Sequence, residues 1–149
     1  MNFDEFDKIE IQVINNENSF DKIQVKPESL TTLLSCLKNN PKFSFDRLNC
    51  IVAVDNKDHF EIIYDLCSLK RALSIRVSAI IDRETPVCPS VIHIFKSAYF
   101  DECEIFDLFG IEFSNNTKLK RLLMPKGWIG HPLRKDYKQS DERLTWSKK

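Results

Sequence analysis

The side chains with the richest potential chemistry here are five cysteines, Cys36, Cys50, Cys67, Cys88 and Cys103, and three histidines, His59, His93 and His131. Iron–sulfur ligation needs clustered thiolates, and these are scattered. Their number is odd and none lies in a Cys-x-x-Cys pair, so they read as reduced, mostly buried small hydrophobes. The histidines are far apart in the chain, which gives a zinc site no support. All three glycines, Gly110, Gly127 and Gly130, come late, which leaves no phosphate-cradling loop of the usual form. Chain order offers no Ser-His-Asp or Cys-His arrangement. We therefore expect no catalytic, cofactor-binding or metal-binding set in this chain. What stands out is charge: the carboxylates of Asp101, Glu102, Glu104 and Asp107, and later the run Arg134-Lys135-Asp136.

The carboxylates need a helix to hold them. Ser97 is a candidate N-cap, with Asp101 and Glu102 placed where the positive end of the helix dipole favours them. Gly110 follows the last periodic apolar residue, where a left-handed residue commonly closes a helix. Tyr99, Cys103 and Phe106 recur at helical spacing, and Ile105 and Phe109 widen the apolar face. Asp101, Glu104 and Leu108 share another face, with Asp107 three residues after Glu104. The basic run is positioned differently. Gly127 and Gly130 bracket Trp128 with turns, and Pro132 pushes His131 out of helical geometry. Two readings of Arg134 follow. It is part of a solvated face, or it bridges Glu104 and Asp107 and locks the strap to the helix. An exposed pair contributes about 0–1 kcal/mol. Breaking a buried one costs about 3–5 kcal/mol.

The acidic-aromatic helix ending in Asp107-Leu108-Phe109-Gly110-Ile111, then Leu123-Met124-Pro125, Trp128 and Gly130-His131-Pro132-Leu133-Arg134-Lys135-Asp136-Tyr137, resembles the 30 kDa (C-type) subunit of NADH:quinone oxidoreductase, or complex I. That family includes the equivalent subunits of membrane-bound, energy-converting hydrogenases. The match covers about the last third of the chain; upstream of Ser90 it rests on element order. There are departures. Glu102-Cys103-Glu104 stands where the family has Glu-Arg-Glu, Phe100 where it has tryptophan, and Asn115-Asn116 where it often has Gly-His. These bear on which member of the superfamily this is.

The resemblance implies a non-catalytic subunit of the peripheral arm of a proton-translocating quinone oxidoreductase, holding no redox centre. It would scaffold the large hydrogenase-related (D-type) partner near the quinone-reducing end. Iron–sulfur clusters, flavin or a nickel–iron centre would sit in partner subunits. Glu104, Asp107, Gly110, Trp128, Pro132, Leu133, Arg134, Lys135, Asp136 and Tyr137 are then the partner interface or its structural motif. The alternatives are the same subunit in a nickel–iron energy-converting hydrogenase, and a stand-alone module that binds a small ligand.

The bulk properties agree. At 149 residues the chain can bury a core as one domain, expected over 1–137 with a polar tail at 138–149. Lys+Arg and Asp+Glu are 22 each, so net charge is zero. That argues against nucleic acid and against electrostatic attachment to anionic lipid. It suits life inside an assembly. No apolar run is long enough to span a membrane. Asp4, Glu5 and Asp7 stand where a signal peptide would be basic, so a cytoplasmic, matrix or stromal face is expected.

Upstream elements follow from periodicity. Ile9, Ile11 and Val13 alternate as a strand, Asn15–Ser19 turns, and Asp21–Lys26 completes a hairpin. Leu30, Leu33, Leu34 and Leu37 mark a helix opened by Pro27-Glu28 and closed by Asn39-Asn40-Pro41. Ile51–Val54, Phe60–Cys67 and Leu73–Ile81 read as an antiparallel meander with turns at Asp55–Asp58 and Ser68–Arg71. Asp82–Pro89 reads as a loop, Val91–Phe95 as a short helix, Thr117–Met124 as a turn and Ile111–Phe113 as a last strand. The expected class is α+β: a mostly antiparallel sheet with helices on one face and an irregular C-terminal strap, with Trp128, Tyr137 and Trp146 as candidate anchors.

Overall fold

A computed structural model describes residues 9–14 and 22–138. The acidic N-terminus, the turn expected at 15–19 and the tail with Trp146 lie outside the described residues.

Strands β1 (Ile11–Ile14) and β2 (Lys22–Val25) pair antiparallel, as the alternation predicts. Helix α1 (Pro27–Asn39) follows, with Pro27 in its first turn and Leu30, Leu33, Leu34 and Leu37 all buried. Strands β3 (Arg47–Asp55), β4 (His59–Ser68) and β5 (Leu73–Asp82) form the expected meander. The five strands run in the order β1-β2-β5-β4-β3, with β2 and β5 parallel. That parallel contact follows from the crossover through α1 and two strands, because parallel neighbours need a long connection.

One sheet face carries the core. Phe60, Ile62, Tyr64 and Leu66 of β4 stand opposite Ile81, Ala79, Val77 and Ile75 of β5, and all are buried. Period-two alternation puts them on one side, together with Leu48, Ile51 and Ala53 of β3 and Ile23 and Val25 of β2. Helix α1 packs on β5, and helix α2 (Ala98–Phe109) packs on β3. The other face alternates to Glu61, Ile63 and Asp65, half-buried, with a Lys22–Glu61 ion pair at 2.6 Å. The α+β class holds.

Two local expectations change. The segment read as a loop contains strand β6 (Val87–Pro89), which pairs in parallel with β7 (Glu112–Ser114). Its partner lies 25 residues on, and a strand of three residues leaves no readable period. Val91–Phe95 is not a helix. It closes one turn, with the amides of Ile94 and Phe95 both donating to the Val91 carbonyl, at 2.9 and 2.8 Å. The Val91 amide is itself taken at 2.8 Å by the Glu102 carboxylate, and β-branched residues give no push toward helix.

Candidate interaction surface

Helix α2 begins without the side-chain cap expected of Ser97, whose backbone is already helical because turns lead into it. It ends as expected: Gly110 is left-handed (φ 72°), and its amide donates to the Phe106 carbonyl at 2.9 Å. Gly110 is needed for a second reason, since a Cβ there would stand 2.5 Å from the His131 ring. Cys103, Ile105 and Phe109 are buried, Tyr99 and Phe106 half-buried, and Phe100 is 63% exposed.

The last carbonyls of a helix lack partners within it. Here the strap supplies them in sequence. Asp107's carbonyl lies 2.9 Å from His131 Nδ1, and Leu108's accepts the Leu133 amide at 3.0 Å. Phe109's accepts Arg134 Nε. The run His131-Pro132-Leu133-Arg134 is thus a reader of one helix end, with the guanidinium where the dipole favours a cation. Successive turns, from the Arg134 amide to the His131 carbonyl and from the Tyr137 amide to the Arg134 carbonyl, both at 3.1 Å, carry the strap onward.

This corrects the expected bridge from Arg134 to Glu104 and Asp107. The strap arrives at the end of the helix axis, where Arg134 donates to the Phe109 carbonyl and not to a carboxylate. Glu104 is exposed. Asp107 is wholly buried and belongs to the preceding segment. It accepts the amides of Leu122, Leu123 and Met124 at 2.9, 2.7 and 2.8 Å, and Arg121 at 3.1 Å. Arg121 also donates to the Gly130 carbonyl. Burial pushes Asp107's carboxyl up, but the three amides and Arg121 outweigh it and hold it below the ordinary range.

A second buried carboxylate, Asp55 at the end of β3, ties down the far end of the strap. It accepts Arg83, the Lys57 amide at 2.7 Å and the Lys135 amide at 2.8 Å. Against the cost of burial, these bonds lower its carboxyl from 3.8 to about 2. Arg83 reaches on to Asp136 at 2.9 Å. The Arg83 and Arg134 guanidiniums lie 5.0 and 5.2 Å from the centre of the Phe60 ring, which is buried edge-on to Phe109. A third carboxylate, Glu102, accepts the Ser90 hydroxyl at 2.8 Å, the Val91 amide at 2.8 Å and the Asn116 side chain at 2.9 Å. Burial raises its carboxyl despite these bonds. It joins α2 to the ends of β6 and β7.

Of the residues predicted from sequence, Asp107, Gly110, Leu133 and Arg134 meet at the end of α2, Lys135 and Asp136 are held by Asp55 and Arg83, and Glu104 stands apart. Tyr137 packs its ring on Gly130, where a Cβ would come within 2.7 Å of it. Trp128 and Pro132 are half-buried, and the Trp128 indole N–H is buried with no acceptor among the described residues. Sequence reasoning missed Asp55, Arg83 and Arg121, and gave Glu102 only a place in the helix dipole. Their only signal is a charge in or beside an otherwise apolar run. The strap leaves Leu122, Leu123, Ile129 and Leu133 outward, at 40, 55, 83 and 52% exposure. Among the described residues no group of three or more His, Cys, Asp or Glu is placed to hold a metal, and no helix is long and apolar enough to cross a membrane.

Comparison with known proteins bears on this arrangement. The family profile described as respiratory-chain NADH dehydrogenase, 30 kDa subunit, matches residues 23–143. The chain belongs to that family. The match reaches well upstream of the last third that carried the resemblance. The chain is 42% identical over 118 residues to NADH-ubiquinone oxidoreductase subunit 9 of Reclinomonas americana, covering 77% of this chain and 57% of the relative. It is 33% identical over 128 residues to the C-type subunit of NADH-quinone oxidoreductase from Roseiflexus sp. (strain RS-1), covering 84% and 74%. A trypsin-resistant fragment of Nqo5 superposes with a TM-score of 0.64 at 25% identity, over 70% of this chain and 86% of that one. A chain of an archaeal membrane-bound sulfane sulfur reductase superposes with a TM-score of 0.68 at 22% identity, over 87% and 78%; that likeness concerns the fold alone. This 30 kDa-family chain thus spans little more than half the length of its Reclinomonas relative.

Proposed function

We propose that the chain is a non-catalytic, peripheral-arm subunit of a proton-translocating NADH:quinone oxidoreductase of the respiratory complex I type. In this reading it scaffolds the large hydrogenase-related subunit near the quinone-reducing end, beside iron–sulfur subunits. Electrons pass through those neighbours. The complex rests on the cytoplasmic, matrix or stromal face of an energy-converting membrane, and this chain meets the membrane only through its partners.

The observation that carries the reading is the strap. Residues 121–137 are held from beneath by Asp107, Asp55 and the end of α2, yet they turn Leu122, Leu123, Ile129 and Leu133 outward. Directional bonds fix the backbone, so the apolar side chains are preorganised, which lowers the ordering cost of binding. Family membership and the names of the relatives support the kind of assembly.

The test is to purify the tagged chain from its source under mild detergent and identify what accompanies it. The expected companions are the large subunit and iron–sulfur subunits of a quinone oxidoreductase. Arg134→Ala should reduce that recovery while the isolated chain still folds. Recovery of a nickel-ligating subunit would move the chain to the hydrogenase class, and a lone monodisperse monomer would overturn the reading.

A further inference from the structure

Strand β3 is the outer strand of the five-stranded sheet. Two hydrogen bonds reveal which of its backbone groups face outward. The Asn56 amide donates to the His59 carbonyl at 3.0 Å, so Asn56 faces β4. The Ile51 amide donates to the Asp101 carboxylate at 2.9 Å, so Ile51 faces away from β4. In an antiparallel ladder, facing alternates residue by residue, and the register is unbroken from Cys50 to Asp55. Both bonds therefore agree that Ala53 turns its amide and carbonyl away from β4. Asp101 occupies the edge at Ile51, and the strap reaches Asp55. Ala53 lies between them.

A groove of about 190 Å³ runs along this edge. Ala53 lines it together with apolar Ile105, Leu108 and Leu133 and acidic Asp101 and Glu104. We propose that this groove receives an extended segment of a partner subunit, which adds a short strand to β3 at Ala53 and places a basic side chain against Asp101 and Glu104. A strand edge without a strand partner is a template for such addition. A helix has a diameter of about 10 Å and no free mid-chain amide to offer, so it suits neither the volume nor Ala53. The two carboxylates select a basic residue, and Ile105, Leu108 and Leu133 select an apolar neighbour. The proposal rests on the reading of this chain as an assembly subunit, and Leu133 makes the groove continuous with the strap.

The test is amide-resolved hydrogen exchange in the purified complex and in the free chain. Ala53's amide should exchange at least about tenfold more slowly in the complex. Ala53→Pro removes an outward N–H, a loss that an edge strand tolerates, though its ring also presses on the buried neighbours of Ala53; a variant that folds should lose its partner. Should that variant fail to fold, Glu104→Lys at an exposed position carries the same test, with partner recovery expected to fall by about tenfold. Equal Ala53 exchange in both samples, with the partners present, overturns the groove assignment and leaves the assembly reading standing. Protection that appears in the concentrated free chain instead gives the groove to a second copy and also overturns it. If the wild-type chain recovers no partner, the assembly reading fails and takes this proposal with it.

Discussion

The sheet with α1 and the strap with α2 are held by different forces. In the first, Leu30, Leu33, Leu34 and Leu37 belong to one buried apolar cluster with Ile62, Tyr64 and Val77, and stability comes from apolar area. In the second, buried carboxylates and helix-end carbonyls receive backbone amides and guanidiniums one by one, while apolar side chains point outward. Burial is non-directional and tolerates adjustment. A hydrogen-bonded strap fixes position more strongly than it adds stability, because a typical net bond contributes only about 1 kcal/mol. A segment that must present leucines to another protein is better held this way, since its apolar groups are left for the partner.

The largest effect should come from the sheet half. Leu34→Ala leaves a cavity at a fully buried position and should cost about 3 kcal/mol of global stability, read by chemical denaturation. Asp107→Ala should cost somewhat less, about 2–3 kcal/mol, because it strands Arg121 and three amides. Its signature is local: trypsin should cut after Arg121 well before the core unfolds. Equal global and local loss would erase the contrast between the halves.

Acid sharpens the comparison without mutation. Asp55, with its carboxyl at about 2, and Asp107, also lowered, contribute stability that is present above the ordinary carboxylate range. Asp55's part is lost as pH falls from about 4 toward 2, and Asp107's is lost as pH falls below the ordinary carboxylate range. Glu102 is raised, so it carries the opposite sign and does not explain loss of the strap in acid. Tryptophan fluorescence and proteolysis should therefore report strap release in this window, ahead of loss of sheet circular dichroism. The smallest effect is Lys135→Ala. Only its amide reaches Asp55 and its side chain is exposed, so stability should change by no more than about 0.5 kcal/mol in denaturation.

The sheet is legible in the sequence for a plain reason. Leu73 to Ile81 alternates cleanly, and a half-buried strand can hardly avoid doing so. The leucine stripe of α1 and the glycine closing α2 are equally readable. Two partners in the strap are not. Attraction between charges points Arg134 at Glu104 and Asp107, but a side chain bonds whichever acceptor the backbone path brings near, and here that is the Phe109 carbonyl. Asp55 has the sequence surroundings of a turn residue, yet its bond to the Lys135 amide spans 80 positions. No local pattern encodes such a distance.

Periodicity, turn residues and the run from Gly130 to Tyr137 were enough to determine the α+β class, the strand set of the meander and the kinship of the chain. They act within a few residues, or in the last case as a written motif. Which carboxylate holds which amide, that β6 pairs with β7, and that Ala53 faces away from β4 were decided only when the chain closed on itself. Those contacts depend on where distant backbone segments come to rest, and packing of the whole core sets those positions.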